Sequence, residues 1–196
     1  MIKLQPTFNQ LINVFLLVGI VILLFSSSIR TSVASTLQNW ILKTGLMDAD
    51  ASISDGLGSV EEPLALQHLD GTPLDTTWLE GKPIFLHIWA SWCPPCIAEL
   101  PDIQQLVQSV SPEEVAFLLV SVDKDVDHVR QFLVEQEYSL PIYRLTEEFP
   151  RGIEYNVIPT TYVIAPSGQI LYKHEGLTQY NHEDFKDFLQ GDLEGL

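Results

Sequence analysis

Both cysteines of this 196-residue chain lie in one pentapeptide, Trp92-Cys93-Pro94-Pro95-Cys96. Two thiols with two residues between them can close a disulfide and open it again, so the spacing suits reversible dithiol–disulfide chemistry. Other uses fit less well. A structural zinc site takes four Cys or His ligands, and the chain has no second CxxC and no HxxxH pair among its five histidines. A c-type haem needs His directly after the second cysteine, and Ile97 stands there. A purely structural disulfide gains most by closing a long loop, and a bridge between near neighbours contributes little. A metal clip, or a homologue that has lost its activity, stays open beside redox chemistry.

The elements that must position the thiols can be read around them. Ile84-Phe85-Leu86-His87-Ile88-Trp89-Ala90 is a short apolar run that reads as a buried strand, and Ile97-Ala98-Glu99-Leu100 reads as helix. The pair therefore lies at a strand-to-helix junction. Proline is tolerated in a first helical turn, which predicts a helix starting at Pro94 or Pro95. It should continue to Ser109 and bend at Pro101. Upstream, residues 64–69 and Pro73-Leu74 flank Asp70-Gly71, a hairpin signal, and Lys82-Pro83 opens the central strand. Downstream, residues 115–122 read as a second buried strand, 126–136 as amphipathic helix, 141–145 as an extended piece and 147–155 as another helix. Residues 161–165 and 170–173 read as strands joined by Pro166-Ser167-Gly168-Gln169, and Asn181 as the cap of a last helix over 183–189. The order predicts an α/β fold, a central mixed sheet with helices on both faces and the site at the C-terminal ends of the central strands.

With 46% hydrophobic residues the chain can bury one real core. Its 26 acidic residues outnumber 10 basic ones for a net charge of -16, and none of the acids precedes Asp48. Such a surface repels nucleic acid, so no nucleic-acid partner is expected, and the charge reads as a solubilising face. Residues 11–25 are apolar apart from Asn13 and Gly19, and with 26–29 they approach the roughly 20 residues that cross a hydrocarbon core. We therefore expect a cytoplasmic N-terminus over 1–10, a transmembrane signal-anchor over 11–29 and a linker over 30–60, with a short helix over 40–47. A soluble domain over 61–196 follows. Ser32-Val33-Ala34 offers an alternative cleavage site that would release the domain. Both readings export it. In an oxidising compartment an idle CxxC stays oxidised, so a working one needs a partner to reset it.

Several motifs then fall in order: Asp70-Gly71, Gly81-Lys82-Pro83, the run from Trp89 through Cys96, Glu99, Pro101 and Val120-Ser121-Val122-Asp123. Ile158-Pro159-Thr160-Thr161-Tyr162-Val163-Ile164 and Ser167-Gly168 complete the set. From Pro63 to about Leu189 the chain resembles the thioredoxin superfamily, in particular the TlpA/ResA-like membrane-anchored thiol–disulfide oxidoreductases. The resemblance implies a thioredoxin-like fold and an enzyme that reduces disulfides in exported proteins, on the outer side of a bacterial cytoplasmic membrane or in the periplasm. Its clients would be apocytochrome c, other cysteine proteins or metal-protein thiols. Its electrons would come from a membrane dithiol carrier, with no cofactor and no metal. An oxidant or isomerase on the same fold is the alternative, as is a thioredoxin-like chaperone or copper-handling module without turnover.

Residue by residue, Cys93 is the expected nucleophile, because a helix N-terminus stabilises a thiolate and lowers its pKa below the free value of about 8.5. Cys96, one turn in, is the expected resolving thiol. Pro94 and Pro95 stiffen the loop and remove backbone donors from the helix start. The resemblance implies a cis bond at Ile158-Pro159, with the backbone of Ile158 presented to an extended substrate in the manner of strand addition. Glu99 is either a proton acceptor for the thiol pair or an acid favoured by the helix dipole. His87 stands where thioredoxin carries a buried acid; it either handles a proton or is a core histidine bonded to backbone. Trp92 is expected to line the substrate surface and Trp89 to pack beside the site. His68, His128, His174 and His182 read as ordinary surface or packing residues.

Overall fold

The structure, a computed structural model, describes residue 49, residues 56–60 and residues 62–191. The 11–29 run and the expected helix over 40–47 lie outside the described residues. Among those described, no helix is long and apolar enough to cross a membrane.

The strands are β1 (Leu66–His68), β2 (Ile84–Trp89), β3 (Ala116–Ser121), β4 (Ile142–Leu145), β5 (Thr160–Ile164) and β6 (Ile170–Glu175). The α-helices are α1 (Pro94–Ser109), α2 (Val126–Glu135) and α3 (Glu183–Gln190), and a 3-10 turn covers Thr77–Leu79. One six-stranded sheet results, in the order β1-β4-β3-β2-β5-β6. β2 runs parallel to β3 and β3 parallel to β4, while β1–β4, β2–β5 and β5–β6 are antiparallel. The sheet is mixed, as the pattern predicts. β2 and β3 lie inside it and are covered on both faces, which is why both read as continuous apolar runs.

Alternation along the strands sorts the core into two layers. On one side Phe85, Phe117, Leu119, Val163 and Tyr172 pack with residues of all three helices, including Leu100, Ile103, Val129 and Phe185. On the other, Leu86, Ile88, Leu118, Val120 and Tyr162 pack under Leu57, Val60, Leu64, Leu79, Phe149 and Ile153. The expectation of helices on both faces is not met: the three α-helices flank the sheet on one face, and loops with the 3-10 turn cover the other. The helix expected over 147–155 is absent. Pro150 interrupts it, and Gly152 adopts φ +95° with its Cα so close to Ser59 that a Cβ would stand 2.6 Å from the Ser59 carbonyl oxygen. The segment keeps its apolar anchors Phe149 and Ile153 without helical geometry.

Other boundaries hold within a residue or two. α1 passes through Pro101, on its exposed side, without ending there. The Asp70-Gly71 turn closes a bridge between Gln67 and Pro73, but the main partner of β1 is β4. His182, not Asn181, is the N-cap of α3. Asn181 is drawn aside, its backbone N–H donating to Asp102 and its side-chain amide to Gln105. The last residues of the expected linker are tied to the domain: Val60 N–H donates to Gly168 O and Ile170 N–H to Gly58 O. Ala49 is buried and its N–H donates to Gln179 O.

Candidate active site

The reactive pair lies where β2 hands over to α1. Cys93 is the N-cap of α1, with extended backbone, and its Sγ accepts the Cys96 N–H at 3.4 Å. Sulfur here does what a hydroxyl or carboxylate does at other helix starts. Cys93 and Cys96 are joined as a disulfide, with Cα atoms 5.3 Å apart. Cys93 keeps 4% of its surface exposed and Cys96 keeps none, so an incoming thiol meets Cys93 first. Pro94 is exposed and Pro95 half-buried in the first turn. Neither offers a backbone donor to compete with Cys96 N–H for the Cys93 sulfur.

The loop before Cys93 is held by a carboxyl that sequence reasoning passed over. Asp123, just beyond β3, accepts Ser91 N–H at 2.9 Å, the Ser91 hydroxyl at 2.7 Å and the Ser121 hydroxyl at 2.8 Å. Val122 N–H donates to Trp89 O and Cys93 N–H to Ala90 O. His128, read as an ordinary surface residue, brings Nδ1 to 3.1 Å from Ser91 Oγ. Asp123 was present in the sequence as the end of a motif, but its partner lies 32 residues away.

Across from the disulfide, the Ile158-Pro159 bond is cis, as the resemblance implies. The Ile158 carbonyl oxygen stands 3.6 Å from Cys93 Sγ. With the pair oxidised the sulfur carries no proton, so this is a contact rather than a hydrogen bond. Trp92, next to Cys93 in the chain, is 61% exposed, and Val157, next to Ile158, is exposed as well.

Glu99 and His87 do meet. Both are fully buried, and His87 Nε2 lies 3.7 Å from Glu99 Oε2. Neither of these two atoms has a hydrogen-bond partner. Glu99 Oε1 accepts Thr178 N–H at 2.6 Å. Burial pushes the Glu99 carboxyl well above the usual carboxylate range, further raised by Asp102, against the lowering effect of the Thr178 N–H. Burial also holds the His87 pKa down at about 3, so the imidazole is neutral. The two face each other as neutral groups, not as an ion pair. His87 is bonded to a side chain rather than to backbone: Nδ1 lies 2.8 Å from Thr161 Oγ1, and the Tyr180 hydroxyl donates to the same Oγ1 at 2.7 Å. Thr161 stood in the quoted motif. Tyr180 carried no local signal at all.

Fold and site together define a thioredoxin-like oxidoreductase built on a dithiol–disulfide pair. The chain belongs to the Redoxin family, which its residues 48–189 match. It is similar to the thiol-disulfide oxidoreductase ResA of Oceanobacillus iheyensis, 33% identical over 105 residues, covering 53% of this chain and 55% of that protein. It is also similar to the ResA of Halalkalibacterium halodurans, 28% identical over 149 residues, covering 72% of this chain and 81% of that protein. The chain thus spans little more than half of the first relative's length and most of the second's. Its fold matches the crystal structure of a thiol:disulfide interchange protein, a thioredoxin family protein from Chlorobium tepidum TLS. The TM-score is 0.55 at 25% identity, over 74% of this chain and 99% of that one.

Proposed function

We propose that the protein is an extracytoplasmic thiol–disulfide reductase, tethered by a membrane-spanning helix over residues 11–29, that reduces disulfides in exported proteins. The observation that carries this reading is the oxidised Cys93–Cys96 pair at the start of α1, facing the Ile158 carbonyl. In its reduced form the Cys93 thiolate attacks a client disulfide and expels one client thiolate, leaving a mixed disulfide on Cys93. Cys96 loses its proton to Glu99 and attacks Cys93 Sγ, which expels the second client thiolate and closes the Cys93–Cys96 bond. An external dithiol, supplied by a membrane carrier, then reopens that bond. Two electrons pass from the pair to the client in each cycle, and the proton taken by Glu99 returns to Cys96 on re-reduction.

An extended client strand running beside Ile158 would pair with its backbone, with Trp92 and Val157 on its flanks. The thiol-disulfide oxidoreductase names of the relatives support the dithiol–disulfide part of this reading and the apolar 11–29 run its exported part, and apocytochrome c is the client class we favour. Equilibration of the full chain with a glutathione couple tests the direction. A reduction potential below about -220 mV supports a reductant, and one near the roughly -120 mV of a strong oxidant overturns that direction.

A further inference from the structure

The buried centre behind the disulfide holds an imidazole that the exchange chemistry leaves unused. His87 on β2 and Thr161 on β5 are register partners, so the strand pairing itself brings Nδ1 to Oγ1 at 2.8 Å. Tyr180 donates its hydroxyl to the same Oγ1 at 2.7 Å, from the loop between β6 and α3. That loop is clamped to α1 by two carboxyls. Glu99 accepts Thr178 N–H, and Asp102 accepts Tyr180 N–H at 2.7 Å and Asn181 N–H at 3.1 Å. Cys96 and Glu99 are one turn apart on α1, both without exposed surface. The titratable groups around the centre are Cys96, Glu99 and Asp102 from α1 and His87 from β2. Tyr172 and His174 belong to β6, with His174 opposite Thr161 in register, and Tyr180 comes from the loop.

The directions of these bonds leave one tautomer for His87. Thr161 Oγ1 accepts from Tyr180, so its own hydrogen goes to Nδ1; the Tyr180 hydroxyl and Nδ1 are its partners among the described residues. With hydrogen on Nδ1 instead, Oγ1 would accept twice and a buried hydroxyl hydrogen would have no acceptor, which is costly. Donation therefore runs from Tyr180 through Thr161 to Nδ1, and the ring carries its hydrogen on Nε2, aimed at Glu99. Glu99 has a use for that donor. Burial favours its protonated form, whereas a group that takes a proton must first be ionised. Thr178 N–H already serves Oε1 at 2.6 Å. A second N–H on Oε2 would give each carboxylate oxygen a buried donor and favour the charged form. The 3.7 Å between Nε2 and Oε2 is about half an ångström beyond hydrogen-bond reach, a shift that one side chain can supply.

We propose that Tyr180, Thr161 and His87 form a fixed line of donors ending on Glu99 Oε2, and that His87 Nε2–H bonds to the ionised Glu99 of the reduced protein and so holds it ready to take the Cys96 proton. The proposal rests on the thiol–disulfide reading above and adds three positioning residues to it. His87 stays neutral and keeps its hydrogen on Nε2 throughout; the one proton that moves passes from Cys96 Sγ to Glu99 as the disulfide closes, and back as it opens. In the oxidised protein Glu99 carries that proton and the bond to Nε2–H is open, which is the separation observed. Burial raises the Tyr180 pKa further above its ordinary value, so its hydroxyl keeps its proton and remains the first donor of the line.

Two measurements on the full chain, kept in detergent, test this. Nitrogen NMR of isotope-labelled histidine, with His87 assigned by its loss in His87→Gln, should show hydrogen on Nε2 and a bare Nδ1 in both the oxidised and the reduced protein. Hydrogen on Nδ1, or a charged ring, overturns the proposal. The reduced chain is then mixed with the aromatic disulfide dithiobis(nitrobenzoate). Attack by Cys93 releases one coloured thiolate and resolution by Cys96 the second, so two phases report the two cysteines separately. The second phase should speed up with pH as Glu99 ionises. His87→Leu removes a donor to the charged form, so its midpoint should rise by about one pH unit. The first phase should stay within about twofold of wild type at each pH. His87→Gln keeps an N–H near the position of Nε2 and should recover most of the shift. Thr161→Val should raise the midpoint less than His87→Leu, and Thr161→Ser should leave it in place; this pair carries the kinetic test if His87→Leu does not fold. Folded variants that keep the wild-type midpoint, or a His87→Gln that shifts as far as His87→Leu, overturn the line of donors. A wild-type chain with a first phase but no second overturns the resolving role of Cys96 instead, and the proposal with it.

Discussion

Glu99 Oε2 and His87 Nε2 face each other at 3.7 Å in a centre with no exposed surface, one neutral by protonation and the other neutral by deprotonation. The pair leaves a pH signature on folding. The His87 pKa falls from its ordinary 6.5 to about 3, so between those values the unfolded chain binds a proton that the folded chain refuses. Stability must therefore fall as pH drops from about 6.5 toward 3, at up to about 1.4 kcal/mol per pH unit for this one group. The Glu99 pKa is raised, which acts with the opposite sign: its contribution is full below the ordinary carboxyl value of 4.5 and is lost as pH rises above it. Urea unfolding from pH 7 to 5 should show a shallower acid-side loss in His87→Leu than in wild type. Equal slopes would contradict the burial of a neutral imidazole.

Asp123 should matter to stability and to rate together. Replacing it by Ala strands Ser91 N–H and two serine hydroxyls that it now satisfies, at a cost of about 2–4 kcal/mol. Because Ser91 lies two residues before Cys93, client reduction by Asp123→Ala should also slow in conditions where the variant remains folded. Denaturant unfolding and turnover below the unfolding midpoint check the two effects separately.

Trp92 tests the client-facing surface without touching the core. It is 61% exposed, so Trp92→Ala should leave the thermal midpoint within about 2 °C of wild type. Loss of an exposed aromatic anchor should raise KM for a protein disulfide about tenfold while kcat stays within about twofold. An unchanged KM would remove Trp92 from the docking surface.

Gly152→Ala tests the loop that replaces an expected helix. The new methyl would meet the Ser59 carbonyl at 2.6 Å in a left-handed backbone conformation. We expect a loss of about 1–3 kcal/mol and exchange-labile amides in residues 56–60, read by thermal unfolding and hydrogen exchange.

The contrast between these residues shows what the sequence could reveal. β2, β3 and α1 were legible because their signals are local: continuous apolar runs, then proline at a helix start. The reactive pair was legible for the same reason, and the opposing Ile158-Pro159 loop through the ordered motifs. The stretch 147–155 misled because its apolar residues have helical spacing, while the deciding contact, Gly152 against Ser59, spans more than ninety positions. The second layer of the site was hidden in the same way. Tyr180 and Asp102 meet only after β6 has paired, and Asp123 meets Ser91 only because β3 lies beside β2. Residues 58–60 end the expected linker, yet their backbone groups complete hydrogen bonds with Gly168 and Ile170.

The most direct test of the central claim uses the full chain with Cys96→Ala, reduced and exposed to an extract of exported proteins under native conditions. With the resolving thiol gone, attack by Cys93 stops at the mixed disulfide. The account predicts client proteins linked through Cys93, released by dithiothreitol and absent when Cys93 is also replaced. A folded, reduced chain that captures no client, or captures that persist after Cys93 is replaced, would contradict it.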